Sequence, residues 1–248
     1  MRFKPAAILL GALALAACND DDDTTAPAIE NAQVKVVHAI ANAGTVSVRI
    51  DNDAPAITNF QFREIRPATA GAYLPIPFGV RRVRTDLAGG LTAIDATPSL
   101  AANTNYTVVA AGTAGGAGTL APAYILLVDD VTAPAAGQVR IRAVHAASSV
   151  GNVDIHASAT GALAFGTGTR LFQNVPFRAS GVVTVPAGNY TLCVIGAGTT
   201  PTANGSNCAI LQATGALAAG TVATGFAMDA TTAAGSAPAI VLTVDRAP

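Results

Sequence analysis

Three histidines, His38, His145 and His156, together with Asp154, are the residues here best suited to chemistry. Neutral imidazole ligates metals and exchanges protons near pH 7. Asp154 and His156 are two apart, so both lie on one face of an extended strand. His145, Asp154 and His156 are therefore the candidate set for a metal or acid-base site across a hairpin. A metal needs several convergent ligands, and the matching earlier stretch carries Ser47 and Arg49 instead. His38 and His145 recur at equivalent strand ends, where an imidazole can bond a loop carbonyl, so both are read as structural.

Other reaction classes find little support. The chain has no Gly-x-Ser-x-Gly elbow of the serine-hydrolase kind. Glutamate occurs only at Glu30 and Glu64, so a paired-carboxylate glycosidase would depend on aspartates. Asp51, Asp53, Asp86, Asp95, Asp129, Asp130 and Asp245 fall mostly at turns and strand ends, where aspartate bonds its own backbone. Gly112 to Gly118 lacks a lysine and reads as a loose hairpin tip, not a phosphate loop. Arg63, Arg66, Arg81, Arg82 and Arg84 form a local basic cluster, read as a solvated face with an anionic polysaccharide or headgroup as the alternative. No catalytic residue and no cofactor are assigned.

The cysteines sort into two roles. The leader has Arg2 and Lys4 before an apolar run from Ala6 to Ala17, too short for the ~20 residues of a spanning helix. This is the pattern of a secretory signal peptide over residues 1–17. Leu15-Ala16-Ala17-Cys18 resembles a bacterial lipobox, which implies cleavage before Cys18 and acylation there. More than one acyl chain is needed for stable anchoring. Residues 18–32, with Asp20 to Asp23, then read as an acidic, extended tether. Asn19, not aspartate, follows the cysteine, which favours the outer over the inner membrane. Cys193 and Cys208 remain as a pair in an exported chain, where oxidation is allowed. They flank a loop rich in Gly, Thr, Pro and Asn, and a disulfide closing about 15 residues would add about 3 kcal/mol. Two buried free thiols are the alternative.

Charged residues make up 12% of the 248-residue chain, against the ~25% usual in soluble domains. Loss of Arg2 and Lys4 with the leader leaves 12 basic against 15 acidic residues, a charge of -3. Nothing suggests nucleic acid. Small residues, Val and Thr favour strands and turns.

The elements that must position these residues are written twice. Val36 to Ile50 matches Ala143 to Ala157 at a constant offset of 107, pairing His38 with His145 and Gly44 with Gly151. Tyr73 to Gly79 matches Val183 to Gly188, Leu100 to Gly112 matches Leu217 to Asp229, and Tyr124 to Asp130 matches Ile240 to Arg246. Four blocks in one order predict a duplicated domain, 33–131 and 138–248, joined by the linker 132–137. Val34, Val36, Val46, Val48 and Ile50 alternate with Lys35, Val37, Ser47 and Arg49, giving strands with one apolar face. In the second copy Val139, Ile141 and Ala143 alternate with Arg140 and Arg142. Turn signals every 8 to 15 residues or so suit a β-sandwich. Leu211 to Ala219 is the one stretch read as a short turn of helix.

Val144-His145-Ala146, Val153-Asp154-Ile155, Val175-Pro176-Phe177 and Val185-Pro186-Ala187-Gly188-Asn189-Tyr190-Thr191-Leu192 resemble the DUF4397 family. The first copy departs from it with Ser47 for Asp154, Val80-Arg81 for Asn189-Tyr190, and Arg66-Pro67-Ala68 at the place of Val175-Pro176-Phe177. The resemblance implies an exported, often lipid-anchored all-β protein and brings no activity with it. The expectation is an all-β chain of two tandem antiparallel, Ig-like β-sandwich domains on a lipid anchor in the bacterial cell envelope. It would act as a non-catalytic binding, adhesion or structural module. Its partners would be the membrane and an envelope protein or polysaccharide. An envelope hydrolase or metal-dependent enzyme with its site on second-domain loops is the alternative.

Overall fold

The computed structural model describes residues 30–51, 54–158, 164–165 and 169–248. Cys18, the aspartate run and the Asn52-Asp53 turn lie outside them. The first half forms β1 (Asn31–Ala41), β2 (Thr45–Ile50), β3 (Ile57–Gln61), β4 (Ile65–Arg66), β5 (Leu74–Pro77), β6 (Gly79–Val80), β7 (Val83–Leu87), β8 (Thr92–Ala96), β9 (Ser99–Leu100), β10 (Asn105–Thr113) and β11 (Ala123–Val128). The second forms β12 (Gln138–His145), β13 (Val153–Ser158), β14 (Thr169–Val175), β15 (Ser180–Pro186), β16 (Gly188–Gly196), β17 (Ile210–Leu217), β18 (Val222–Met228) and β19 (Ala239–Arg246). A 3₁₀ turn, Gly118–Leu120, is the only helical element among the described residues. The chain is all-β, as its composition predicts.

Strand order is the same in both halves. One sheet runs β11-β10-β1-β4, with β5 also on β1, and its counterpart runs β19-β18-β12-β15. The other large sheets run β3-β2-β7-β8 and β14-β13-β16-β17, and β6 pairs with β9 in a small fifth one. Ladders are antiparallel except two: β1 lies parallel to β10, and β12 parallel to β18. The first strand of each half thus closes beside its penultimate one, joining the beginning and end of each sandwich.

Three apolar layers separate these four sheets. Val34 and Val36 of β1 pack with Val46, Val48 and Phe60 inside the first sandwich. Val139 and Ile141 of β12 pack with Val153, Ile155 and Leu192 inside the second. Between the sandwiches lies a third cluster, with Val37, Ala39, Val109 and Ala111 from the first half against Val144, Ala146, Phe226 and Met228 from the second. The sheets built on β1 and β12 are therefore covered on both faces.

That covering corrects the alternation expected for β1. Its polar-looking face, Lys35 and Val37, is fully buried, because the opposite sandwich takes the place of solvent. Leu211–Ala219 is also not helical: Ile210–Leu217 forms β17, which pairs with β16 along its length. Alanine and leucine favour a helix locally, and an unpaired β16 edge overrides that preference. The stretch from Gly112 to Gly118 is close-packed at its base, while Gly115 and Gly118 at its tip face open space. Gly112 sits at φ +141°, and a Cβ there would come within 2.7 Å of Pro122 Cα.

Phe226 lies wholly buried in the middle layer, so Phe226→Ala is expected to lower unfolding free energy by about 3–5 kcal/mol in chemical denaturation. A loss under about 1 kcal/mol would contradict face-to-face packing of the inner sheets.

Candidate functional site

The histidine corners come first. His38 lies three residues before the end of β1, with Nε2 3.1 Å from Gly44 O. The Ile40 amide donates to its Nδ1 at 3.2 Å, which puts the ring proton on Nε2, donating to Gly44 O. Phe60 and Phe62 flank the ring at centroid distances of 5.6 and 5.9 Å. His145 repeats this, with Nε2 2.9 Å from Gly151 O and Phe177 edge-on at 6.1 Å. Its Nδ1 has no hydrogen-bond partner among the described residues. Burial lowers both imidazoles, His38 to about 4, against a smaller upward pull from the loop carbonyl. Each ring is neutral at pH 7 and pins the loop that starts the next strand.

The aligned aromatic was misplaced by sequence. The Arg63 amide donates to His38 O at 2.8 Å, as Arg178 donates to His145 O at 2.7 Å. Val46 pairs with Phe60 as Val153 pairs with Val175. Phe60-Gln61-Phe62, not Arg66-Pro67-Ala68, therefore stands where Val175-Pro176-Phe177 does. The proline at 67 drew the alignment, but the shared requirement is an aromatic ring against the histidine.

The set His145, Asp154 and His156 is not brought together. Asp154 and His156 point to the outer face of β13, since Ile155 between them points into the core. His145 lies in the neighbouring sheet, on β12. Among the described residues no three His, Cys, Asp or Glu side chains are grouped to hold a metal. Asp154 accepts the Asn174 amide at 2.7 Å and the Gly198 amide at 3.1 Å. Burial alone would raise its carboxyl, but those two amides and Arg170 hold it below the usual carboxylate range. The pair ladder of the first half moves this acid across one strand. Ser47 replaces Asp154, and Asp86, opposite Ser47, receives Arg49 at 2.9 Å and Arg84 at 3.0 Å. Opposite His156 in the ladder, Cys193 lies at disulfide distance from Cys208, with Cα atoms 5.4 Å apart.

The basic cluster carries its own counterions. Arg81 meets Asp51 at 2.8 Å, Arg82 meets Asp95 at 2.5 Å, and Arg66 pairs with Glu64. Arg63 turns away from solvent and donates to Asp229 O and to Ala237 O of the other half. Arg178 does the reciprocal, donating to Ala111 O and Ala121 O of the first half.

Sequence reasoning missed the most charged buried place in the molecule. Lys35, 0% exposed, meets Asp245 at 2.5 Å, and Arg142 meets Asp129 at 2.6 Å. Each cation takes its acid from the opposite half. Lys35 is paired in register with Thr107, and Arg142 with Thr224. The Thr107 hydroxyl donates to Asp129 at 2.7 Å and that of Thr224 to Asp245 at 2.5 Å. Asp129 and Asp245 are not turn aspartates, as their places at strand ends suggest, but buried acceptors. The signal lay in the repeat itself, since Lys35 and Arg142 obey the 107-residue offset.

Two stacked β-sandwiches with pinned loops and an internal charge lock define the class, an all-β scaffold. The family model described as "Domain of unknown function (DUF4397)" matches residues 32–156, and the chain belongs to that family. The match runs through the first sandwich and on into β12 and β13. No curated protein matches the chain. Among solved structures, the Bacillus anthracis TIE protein is similar at 11% identity and a TM-score of 0.24, over 80% of this chain. The chain spans 34% of that structure's length.

Two outcomes follow from this chemistry. Lys35→Met leaves Asp245 buried without its cation and is expected to cost about 3–5 kcal/mol. Lys35→Met combined with Asp245→Asn should cost less than the two single changes added, and simple additivity in a denaturation cycle would deny the coupling. Separately, His38 is held at about 4 against an ordinary 6.5, so the unfolded chain takes up the proton first as pH falls. Stability is full above the unfolded value and is lost toward pH 4, by up to roughly 3 kcal/mol. His38→Gln should flatten that slope in thermal melts, and an unchanged slope would show that His38 is not its source.

Proposed function

We propose that this chain is a lipid-anchored cell-envelope protein, outer-membrane rather than inner, built from two tandem copies of the family's domain. It works as a non-catalytic binding, adhesion or structural module. The observation that carries this reading is how the chemistry-bearing side chains are spent. His38 and His145 hold loop carbonyls, Asp154 holds loop amides, and the buried cations hold the opposite half. Such a body presents loops and edges from a rigid frame, as binding scaffolds do. Equal strand order and the shared registers around Lys35 and Arg142 support descent from two copies. The Leu15-Ala16-Ala17-Cys18 junction and the aspartates after it support an anchor with an extended tether. On this reading the partners are the membrane and an envelope protein or polysaccharide.

Intact mass spectrometry of the membrane fraction tests the anchor. The expected species begins at Cys18 and carries acyl chains, and Cys18→Ser abolishes it. Thiol counting before and after reductant should reveal Cys193 and Cys208 only after reduction. An unlipidated chain cut elsewhere would make this a soluble exported protein and remove the anchor from the proposal. Crosslinking in intact envelopes tests the module: a specific partner band is expected, and turnover of an envelope substrate by the purified chain would displace the reading.

A further inference from the structure

The pseudo-symmetry of the inner sheets is broken most widely between β4 and β5. In the first half the chain leaves β1 between β4 and β5 and forms the loop Pro67–Tyr73. In the second half β15 runs along β12 without interruption. Arg66 and Leu74 correspond by register to Gly181 and Val183, so the single residue Val182 stands where that loop is. The loop fills a cleft beside the charge lock. Its Gly71 amide donates to Val244 O of β19 at 2.9 Å. The Tyr73 ring covers the Lys35 ammonium at 4.7 Å, and its hydroxyl donates to Asp129 Oδ2 at 2.9 Å.

Among the described residues, the related cleft between edge strands β11 and β15 has no such filler. It is a cavity of about 320 Å³ whose wall includes Val128, Arg142, Val182 and Asp245. Val128 and Val182 are 65% and 60% exposed, although both are apolar and both flank the buried charges. The acids differ in the same sense. Asp129 Oδ2 accepts two hydroxyls, Tyr73 and Thr107, whereas among the described residues Asp245 Oδ2 accepts one, Thr224. Arg142 Nη1 donates to Val128 O at 3.3 Å, which leaves that carbonyl a second lone pair. The open side thus offers each feature that the Pro67–Tyr73 loop uses on the closed side: a strand-edge carbonyl, a cation lining the cleft and a carboxylate oxygen, the last two 3.9 Å apart.

We propose that this cleft recognises a tyrosine carried on an extended peptide segment of a partner protein. The segment would sit as Pro67–Tyr73 sits in its own cleft. A backbone amide would donate to Val128 O at the β11 edge, as strand addition requires. The ring would lie on the Arg142 guanidinium, which stacks on aromatic faces better than an ammonium does. The phenol would donate to Asp245 Oδ2. This deepens the binding-module reading and rests on it, by naming the ligand class.

The test uses the full mature chain, isotopically labelled, titrated by NMR with a capped synthetic peptide copying residues 67–75. Saturable shifts at the amides of β11 and β15 are expected. The same peptide with Phe in place of its tyrosine should bind at least fivefold more weakly. Val182→Arg and, independently, Val128→Arg should weaken binding tenfold or more; both positions are exposed, and an unchanged melting temperature certifies the fold. No shift at millimolar peptide overturns the proposal, as does binding indifferent to both arginines. p-Cresol binding as tightly as the peptide overturns the peptide-borne part in favour of a small phenol. Failure at the cleft leaves the envelope crosslinking result to decide the module reading by itself.

Discussion

Two crossed ion pairs, Lys35 with Asp245 and Arg142 with Asp129, fix how the two halves meet. Desolvating four charges is costly, and a buried pair is seldom a net source of stability over an apolar core of the same volume. The stabilisation between the halves comes from the apolar layer around Phe226, Met228, Val37 and Val109. The charges supply register. Sliding one inner sheet by a residue would set an ammonium or guanidinium against Val or Ala and strand both carboxylates. Each cation has its short ion pair with an acid of the other half, and Arg142 adds only a longer contact, 3.9 Å, to Asp245 of its own, so the folded unit is the pair. Arg63 and Arg178 repeat the exchange at the strand ends, each donating to backbone carbonyls of the other half.

Much of the fold was legible because the core is periodic. The alternation of Val34 and Val36 with Lys35 located the first strand, and the offset of 107 carried it to β12. What stayed hidden was which faces meet. Period-two patterning reports that one face is apolar, and it treats lysine on the other as solvated. Lys35 violates this only because a second sheet brings Asp245, remote in sequence, to within 2.5 Å. The chemistry was misread for the same reason. Asp129 ends a strand just as a turn aspartate would, and only the stacking of the halves turns it inward. The histidine corners were easier, because ring and carbonyl lie six residues apart in one local loop.

The two halves also show geometry kept while residues change. Tyr190 donates from its hydroxyl to Pro186 O, the short upward reach known from tyrosine corners. Arg81 stands at that position in the first half, and its Nε donates to Pro77 O at 3.1 Å. Pro77 faces Asn31 as Pro186 faces Gln138, so the two bonds hold the same place in each sandwich. The carboxylate at 154 likewise reappears one strand over at 86. A position that accepts Tyr or Arg, or passes an acid to its neighbour, is conserved within the chain for the bond it makes, not for reactivity.

That distinction bears on where function can sit. Features present in both halves, the imidazole pins, the crossed ions and the edge-on aromatics, are accounted for by folding and by the union of the halves. Their equivalence leaves them no separate task. Features present once are not so accounted for. The Cys193–Cys208 loop and the Pro67–Tyr73 loop are the principal two, and they act oppositely. The first adds a tie at the outer sheet, far from the lock. The second covers one flank of the lock and, by having no counterpart, exposes the other. In a molecule whose strands are paired and whose sheets are covered, an uncovered flank beside buried charge is the place where an outside group gains most from arriving, because the cation and the carboxylate are already desolvated and already oriented.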